Sequence, residues 1–182
     1  MKIAPLRQCF MVAIAVVVGV ASVSAEPHRL PDRTGLRPAT TNSVPHIQIG
    51  VEAVPEISSE LLRLVSNIRG IEVRETVISL PGAKGFWVSE NLTLARPDAI
   101  VGGREFAHVH PDGSLHASLA PERAREAVAT GWAIPHPWAN QRPGWDGFVM
   151  IYTPGTREEL DVVLQLVIES FTFVTGQGLK AD

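Results

Sequence analysis

The sequence predicts an α+β fold, an antiparallel sheet of about five strands with helices packed on one face, and three observations point to it. Residues 104–119, REFAHVHPDGSLHASL, alternate around a Pro-Asp-Gly turn so that one side of the paired segments is wholly apolar. Residues 58–68 and the stretch after Thr156 carry apolar side chains at helical spacing. The chain order of helix, hairpin, hairpin, helix, strand, helix then implies an antiparallel layer whose apolar face the helices cover.

The first helix shows Leu61, Leu64, Val65 and Ile68 on one stripe, and Gly70 marks its end. Residues 71–80 are rich in β-branched side chains and read as a strand, which residues 81–85 turn into a second short strand at 86–89. Residues 91–103 carry no clear signal and read as loop, with room for one short strand. Pro121 opens a helix to about Thr130, stopped by Gly131. Residues 133–147 form a loop holding three prolines and two tryptophans. Residues 148–153 are a strand. Thr156 and Glu159 have capping-box spacing ahead of a helix with Leu160, Val163, Leu164, Val167 and Phe171 on one stripe, and Gly176 follows its end.

Three of the six histidines fall in the hairpin. His108 and His110 are two apart on a strand and point the same way. Pro111-Asp112-Gly113 suits a three-residue loop that closes the pair His110–Ser114 and sets His116 opposite His108. One face is then expected to hold Phe106, His108, His110, Ser114, His116 and Ser118; the other holds Ala107, Val109, Leu115, Ala117 and Leu119. The apolar face is core. The histidine face is either open or roofed by the loop at 133–147.

Lys2 and Arg7 precede an apolar run from about Phe10 to Ala21, and Val23-Ser24-Ala25 has the small residues of a cleavage site. Residues 1–25 therefore read as a secretory signal, and the run is too short to span a bilayer. Cleavage there removes the only cysteine, Cys9, so neither a disulfide nor a thiolate is available to the mature chain. Residues 26–45 hold four prolines and read as an extended leader, residues 46–176 as one α+β domain, and residues 177–182 as a tail. Losing Lys2 and Arg7 takes the formal charge from −3 to −5, and no basic patch remains for a nucleic acid. The expected location is secreted or periplasmic, with no membrane partner once the signal is gone.

Three readings of the histidines compete: polar residues on a solvated face, ligands of a metal, or acid–base groups working without one. Two histidines at i, i+2 plus one from the neighbouring strand is a geometry zinc enzymes use, though no carboxylate is expected on that face to orient the rings. Without metal, imidazoles can take a proton from an enol or phenol and hold the oxyanion. Ser114 and Ser118 share the face, but no nucleophile elbow accompanies them. His136 lies between Pro135 and Pro137, which stiffen the loop that would present it, and Trp132 and Trp138 could wall a pocket.

Three stretches, REFAHVHPDGSLHASL, GWAIPHPW and VMIYTPGTREELDVVLQLVIESFTFVTG, resemble the luciferase-like domain family, named for the luciferase of luminous fungi. The family pattern runs E-F/I-A-H-x-H, then S/T-L-H-x-x-L, then G-W-G-x-x-H-P-L-A-G, then Y-x-P-R before a helix rich in Glu and Val. Residues 37–50, RPATTNSVPHIQIG, resemble the start of bacterial members, where a His-Gln pair also follows a Pro-Thr stretch. The resemblance implies addition of molecular oxygen to an enolic or phenolic small molecule, with no flavin, nucleotide or metal. It carries His108, His110, His116 and His136 over as catalytic candidates, with Trp132 and Tyr152 as neighbours; Phe106, Ser114 and Trp138 complete the substrate-binding candidates. Ala133, Trp138, Asn140 and Thr156 depart from the family pattern and would reshape the pocket loop. The alternatives are a non-catalytic binding module that kept the pocket and a histidine-liganded metal enzyme.

Overall fold

The computed structural model describes residues 29–178; the segment expected to be a signal, the first residues of the expected leader and the end of the tail lie outside them. The elements run α1 (Pro55–Ser66), β1 (Ile71–Glu75), β2 (Lys84–Val88), β3 (Glu105–Val109), β4 (Leu115–Ser118), α2 (Pro121–Ala129), β5 (Ala133–Pro135), β6 (Phe148–Ile151) and α3 (Arg157–Thr175). Among the described residues the strands form one six-stranded antiparallel sheet in the order β1-β2-β3-β4-β6-β5. The sixth strand is β5, inside the stretch expected to be loop. It pairs with β6 at the sheet edge, where Pro135 needs no ladder donor. Residues 91–103 hold a single 3-10 turn, Pro97–Ala99, and no named strand.

The helices share one face of the sheet. Leu61 and Val65 of α1 and Leu160, Val163, Val167 and Phe171 of α3 bury against Phe86, Ala107, Val109, Leu115 and Ala117. The stripe of α3 is held in phase from its first turn: the Thr156 hydroxyl accepts the Glu159 N–H at 3.2 Å, and Gly176 ends the helix at φ 68°. Glu159 reaches back to the N–H of Gly155 at 2.7 Å, one residue before the cap. Among the described residues no helix is long and apolar enough to cross a membrane.

From residue 29 the leader is extended and lies against the domain. Leu30 joins the core, and the Trp132 indole N–H donates to the Pro31 carbonyl at 2.6 Å. The Arg33 guanidinium lies over Trp132 and Tyr152 and pairs with Glu159 at 3.1 Å. Further on, Gln48 donates to the Thr153 hydroxyl at 2.6 Å, and Thr153 donates to the Asp112 carbonyl at 2.7 Å. This ties the leader to the end of β6 and to the hairpin turn, and sets the position of His46.

Candidate active site

The hairpin closes as its turn chemistry dictates. His110 N–H donates to the Ser114 carbonyl at 2.8 Å, Gly113 takes φ 84°, and His108 stands opposite His116. Both strands are buried along their whole length, because loops roof the histidine side. The roof comes from three segments: Val44–His46 ahead of α1, Ile78–Leu80 after β1, and His136–Trp138 after β5. Beneath it lies a cavity of about 200 Å³ lined by His46, His108, His110, His116 and His136, with Trp138 and Phe148 as aromatic walls.

The expected face assignment fails at one residue. Phe106 turns to the helix side, where its ring meets Phe171 at 5.8 Å, edge to face. The cause is a bulge: Phe86 pairs with Ala107 but Trp87 pairs with Glu105, so Phe106 is the extra residue that resets the alternation. Glu105 thereby takes the place expected for Phe106. Its fully buried carboxylate is the group that the sequence reading found missing: Oε1 lies 3.1 Å from His108 Nδ1 and accepts the Thr76 hydroxyl at 2.6 Å, while Oε2 accepts the Val77 N–H at 2.8 Å. The same two bonds stop β1 at Glu75, short of the expected strand end, by bending the chain towards Glu105.

The imidazoles form a connected set. His108 Nε2 and His116 Nδ1 are 3.0 Å apart, and His116 Nε2 and His46 Nδ1 are 3.3 Å apart. His110 Nδ1 sits 3.0 Å from the Ser114 hydroxyl, which donates its own proton to Asp112 at 2.7 Å. His136 Nδ1 accepts the Trp138 N–H at 3.0 Å. Burial favours the neutral form of His46, His110, His116 and His136. It pushes His46 below its usual value, His110 to about 4 and His136 to about 3; repulsion from charge on His108 adds to the shift of the last two. His116, the most enclosed, is driven well below the ordinary range by burial and then by all four neighbouring rings.

His108, His110, His116, His136, Ser114 and Trp138 thus meet at one place. Trp132 and Tyr152 do not: both pack under Arg33 of the leader, away from the cavity. Ser118 donates to the Ala99 carbonyl at 2.6 Å. The sequence reading missed His46, Glu105 and Phe148. The His-Gln pair at residues 46 and 48 was the visible signal for His46; Glu105 had none, since the bulge is a tertiary feature.

Two triads, His46–His116–His136 and His108–His110–His116, each bring one ring nitrogen per residue within 4.8 Å of the others, close enough to share an ion.

Residues 103–170 match the model of the family described as Luciferase domain. That segment of the chain is similar to a luciferase domain. Its relatives include proteins named Luciferase from Armillaria gallica, 28% identical over 166 residues, and Armillaria mellea, 29% identical over 168 residues, each match covering 81% of this chain and 62% of the relative. A Luciferase from Neonothopanus nambi is 27% identical over 166 residues, covering 81% of this chain and 61% of its own. The match therefore spans about three-fifths of these relatives' length. No solved structure matches the chain. The matched segment contains all the hairpin histidines, His136 and Glu105, whereas His46 lies before it, ahead of α1.

Proposed function

We propose that this protein is an exported, cofactor-independent oxygenase-type enzyme acting on a small enolic or phenolic molecule, and that molecular oxygen is its co-substrate. The observation that carries this reading is the cavity walled by five imidazoles and two aromatic rings. Its volume lies below the range of drug-sized pockets, which favours a compact planar ligand.

The chemistry has two demands. A neutral imidazole takes the acidic O–H or C–H proton, leaving an electron-rich anion. That anion forms a bond from carbon to oxygen: the carbon is oxidised, O₂ is reduced to the peroxide level, and the proton held by the histidines completes a hydroperoxide. Buried N–H donors hold the anion, and the roof keeps water from quenching it. His108 and His116 are the acid–base residues expected from the sequence, with His110 and His136 beside them; in this reading the pair works through the hydrogen-bonded imidazole set, and His136, whose Nδ1 accepts the Trp138 N–H, offers the N–H donor to the anion.

Oxygen consumption against a panel of single-ring enols and polyphenols tests it. Uptake above a heat-inactivated control is expected, falling about 100-fold or more in His116→Leu. Binding without uptake across the panel would instead assign a ligand-binding module.

A histidine-liganded metal enzyme is the second reading, favoured by the two triads and by the Glu105 carboxylate behind His108. Elemental analysis separates the two: stoichiometric zinc, iron or copper in protein purified without added metal selects it.

A further inference from the structure

We propose that His46, His116, His108 and Glu105 form a directional proton relay, with His46 as the group that takes the proton from the ligand and Glu105 as the residue that sets the direction. The proposal rests on the proton-abstracting reading of the cavity and deepens it.

The direction follows from donors and acceptors. Glu105 accepts from the Thr76 hydroxyl and the Val77 N–H, and Thr76 itself accepts the Ile78 N–H, so its proton is committed to the carboxylate. An acceptor-only carboxylate requires the proton of His108 to be on Nδ1. A neutral ring then has only a lone pair at Nε2, which His116 must meet with Nδ1–H. By the same step His116 Nε2 is an acceptor and His46 Nδ1 a donor. His46 is left with a free lone pair at Nε2 on a ring that lines the cavity. One buried carboxylate thus fixes three tautomers in series.

His108 and His116 spend their ring nitrogens on one another and on their outer partners. Neither is free to touch a ligand directly. His46 is. When its Nε2 takes a proton, Nδ1–H passes to His116 Nε2, and His116 Nδ1–H passes to His108 Nε2. Both imidazole–imidazole hydrogen bonds reverse while His108 keeps its Nδ1–H on Glu105, no proton is gained or lost by the chain beyond the one taken, and the charge arrives on His108 against Glu105. The anion left in the cavity meets a donor of opposite polarity: His136 Nδ1 accepts from Trp138, so its neutral ring carries the proton on Nε2. His110 is no substitute for His46. Its Nδ1–H ends on Ser114, whose own proton already points to Asp112, so nothing can pass further.

The tautomers are measurable without any substrate. In full-length protein with ¹⁵N-labelled histidine at neutral pH, two-bond ¹H–¹⁵N correlation should show protonated Nδ1 on His46, His108 and His116 and protonated Nε2 on His136. Cutting the chain by His116→Leu should return His46 to a mixture of tautomers and lower kcat about 100-fold with KM nearly unchanged. Protonated Nε2 on His46 or His116 in the resting protein would overturn the relay, as would metal-shifted ring nitrogens or a His46 tautomer indifferent to the loss of His116. A correct pattern with no oxygen uptake would sink the oxygenase reading alone; a wrong pattern with uptake would sink the relay alone.

Discussion

A carboxylate with no solvent contact tolerates the loss of a donor badly. Glu105 has three, and His108 is the one that carries its direction into the cavity. His108→Ala is therefore expected to destabilise the fold by about 3 kcal/mol in urea titrations, since it strands half of a buried pair. His108→Asn, whose amide can still donate to Glu105, should recover part of that loss. The residue is structural and functional together, so an alanine there confuses the two roles. Gly85, opposite His108, belongs to the same arrangement: a Cβ there would stand 3.0 Å from the Glu105 carboxyl carbon and 2.6 Å from the Trp87 indole nitrogen. At this scale the three hairpin histidines were legible because their two-residue spacing and the Pro-Asp-Gly loop dictate one face. Glu105 was not, because one extra residue in β3 reverses which side chains point where.

The bulge between β2 and β3 is the element that makes the site. It sends Phe106 into the helix-side core and Glu105 under the histidines, two changes from one irregularity. A second constraint lies where β6 begins. Gly147 accepts the Leu119 N–H at 3.0 Å, and a Cβ there would come within 1.9 Å of the Leu119 carbonyl oxygen. Backbone cannot move aside as a side chain can, so Gly147→Ala is expected to cost about 3 kcal/mol and to lower the melting temperature while leaving helix content intact below it. Circular dichroism melts of the two proteins decide this. The helices themselves were readable from spacing alone, as the capping threonine and terminal glycine of α3 show. Strand β5 was hidden, because a three-residue edge strand that ends in a proline has no periodicity to read.

At the scale of the whole molecule, four imidazoles, His46, His110, His116 and His136, are held where burial disfavours charge. His110 and His136 bind protons only near pH 4 and 3 in the folded chain, and His116 also titrates well below its unfolded value. Unfolded histidine takes a proton near pH 6.5, so between these limits the unfolded chain binds more protons and stability falls as pH falls. The melting temperature should be level from pH 8 to 7, then decline below about 6.5 and continue down towards 4. His136→Gln should make the decline shallower, and a melt unchanged to pH 5 would show the cluster is not buried neutral. Local chemistry in the sequence was sufficient for the α+β class, the hairpin turn, the histidine face and the family resemblance, since all of these depend on neighbours within a few positions. Long-range packing settled the rest: His46 arrives from a leader pinned by Gln48 and Arg33, Glu105 from a bulge, and Trp132 and Tyr152 leave the site to hold that leader down. Such contacts join residues far apart in the chain, and no periodicity records them.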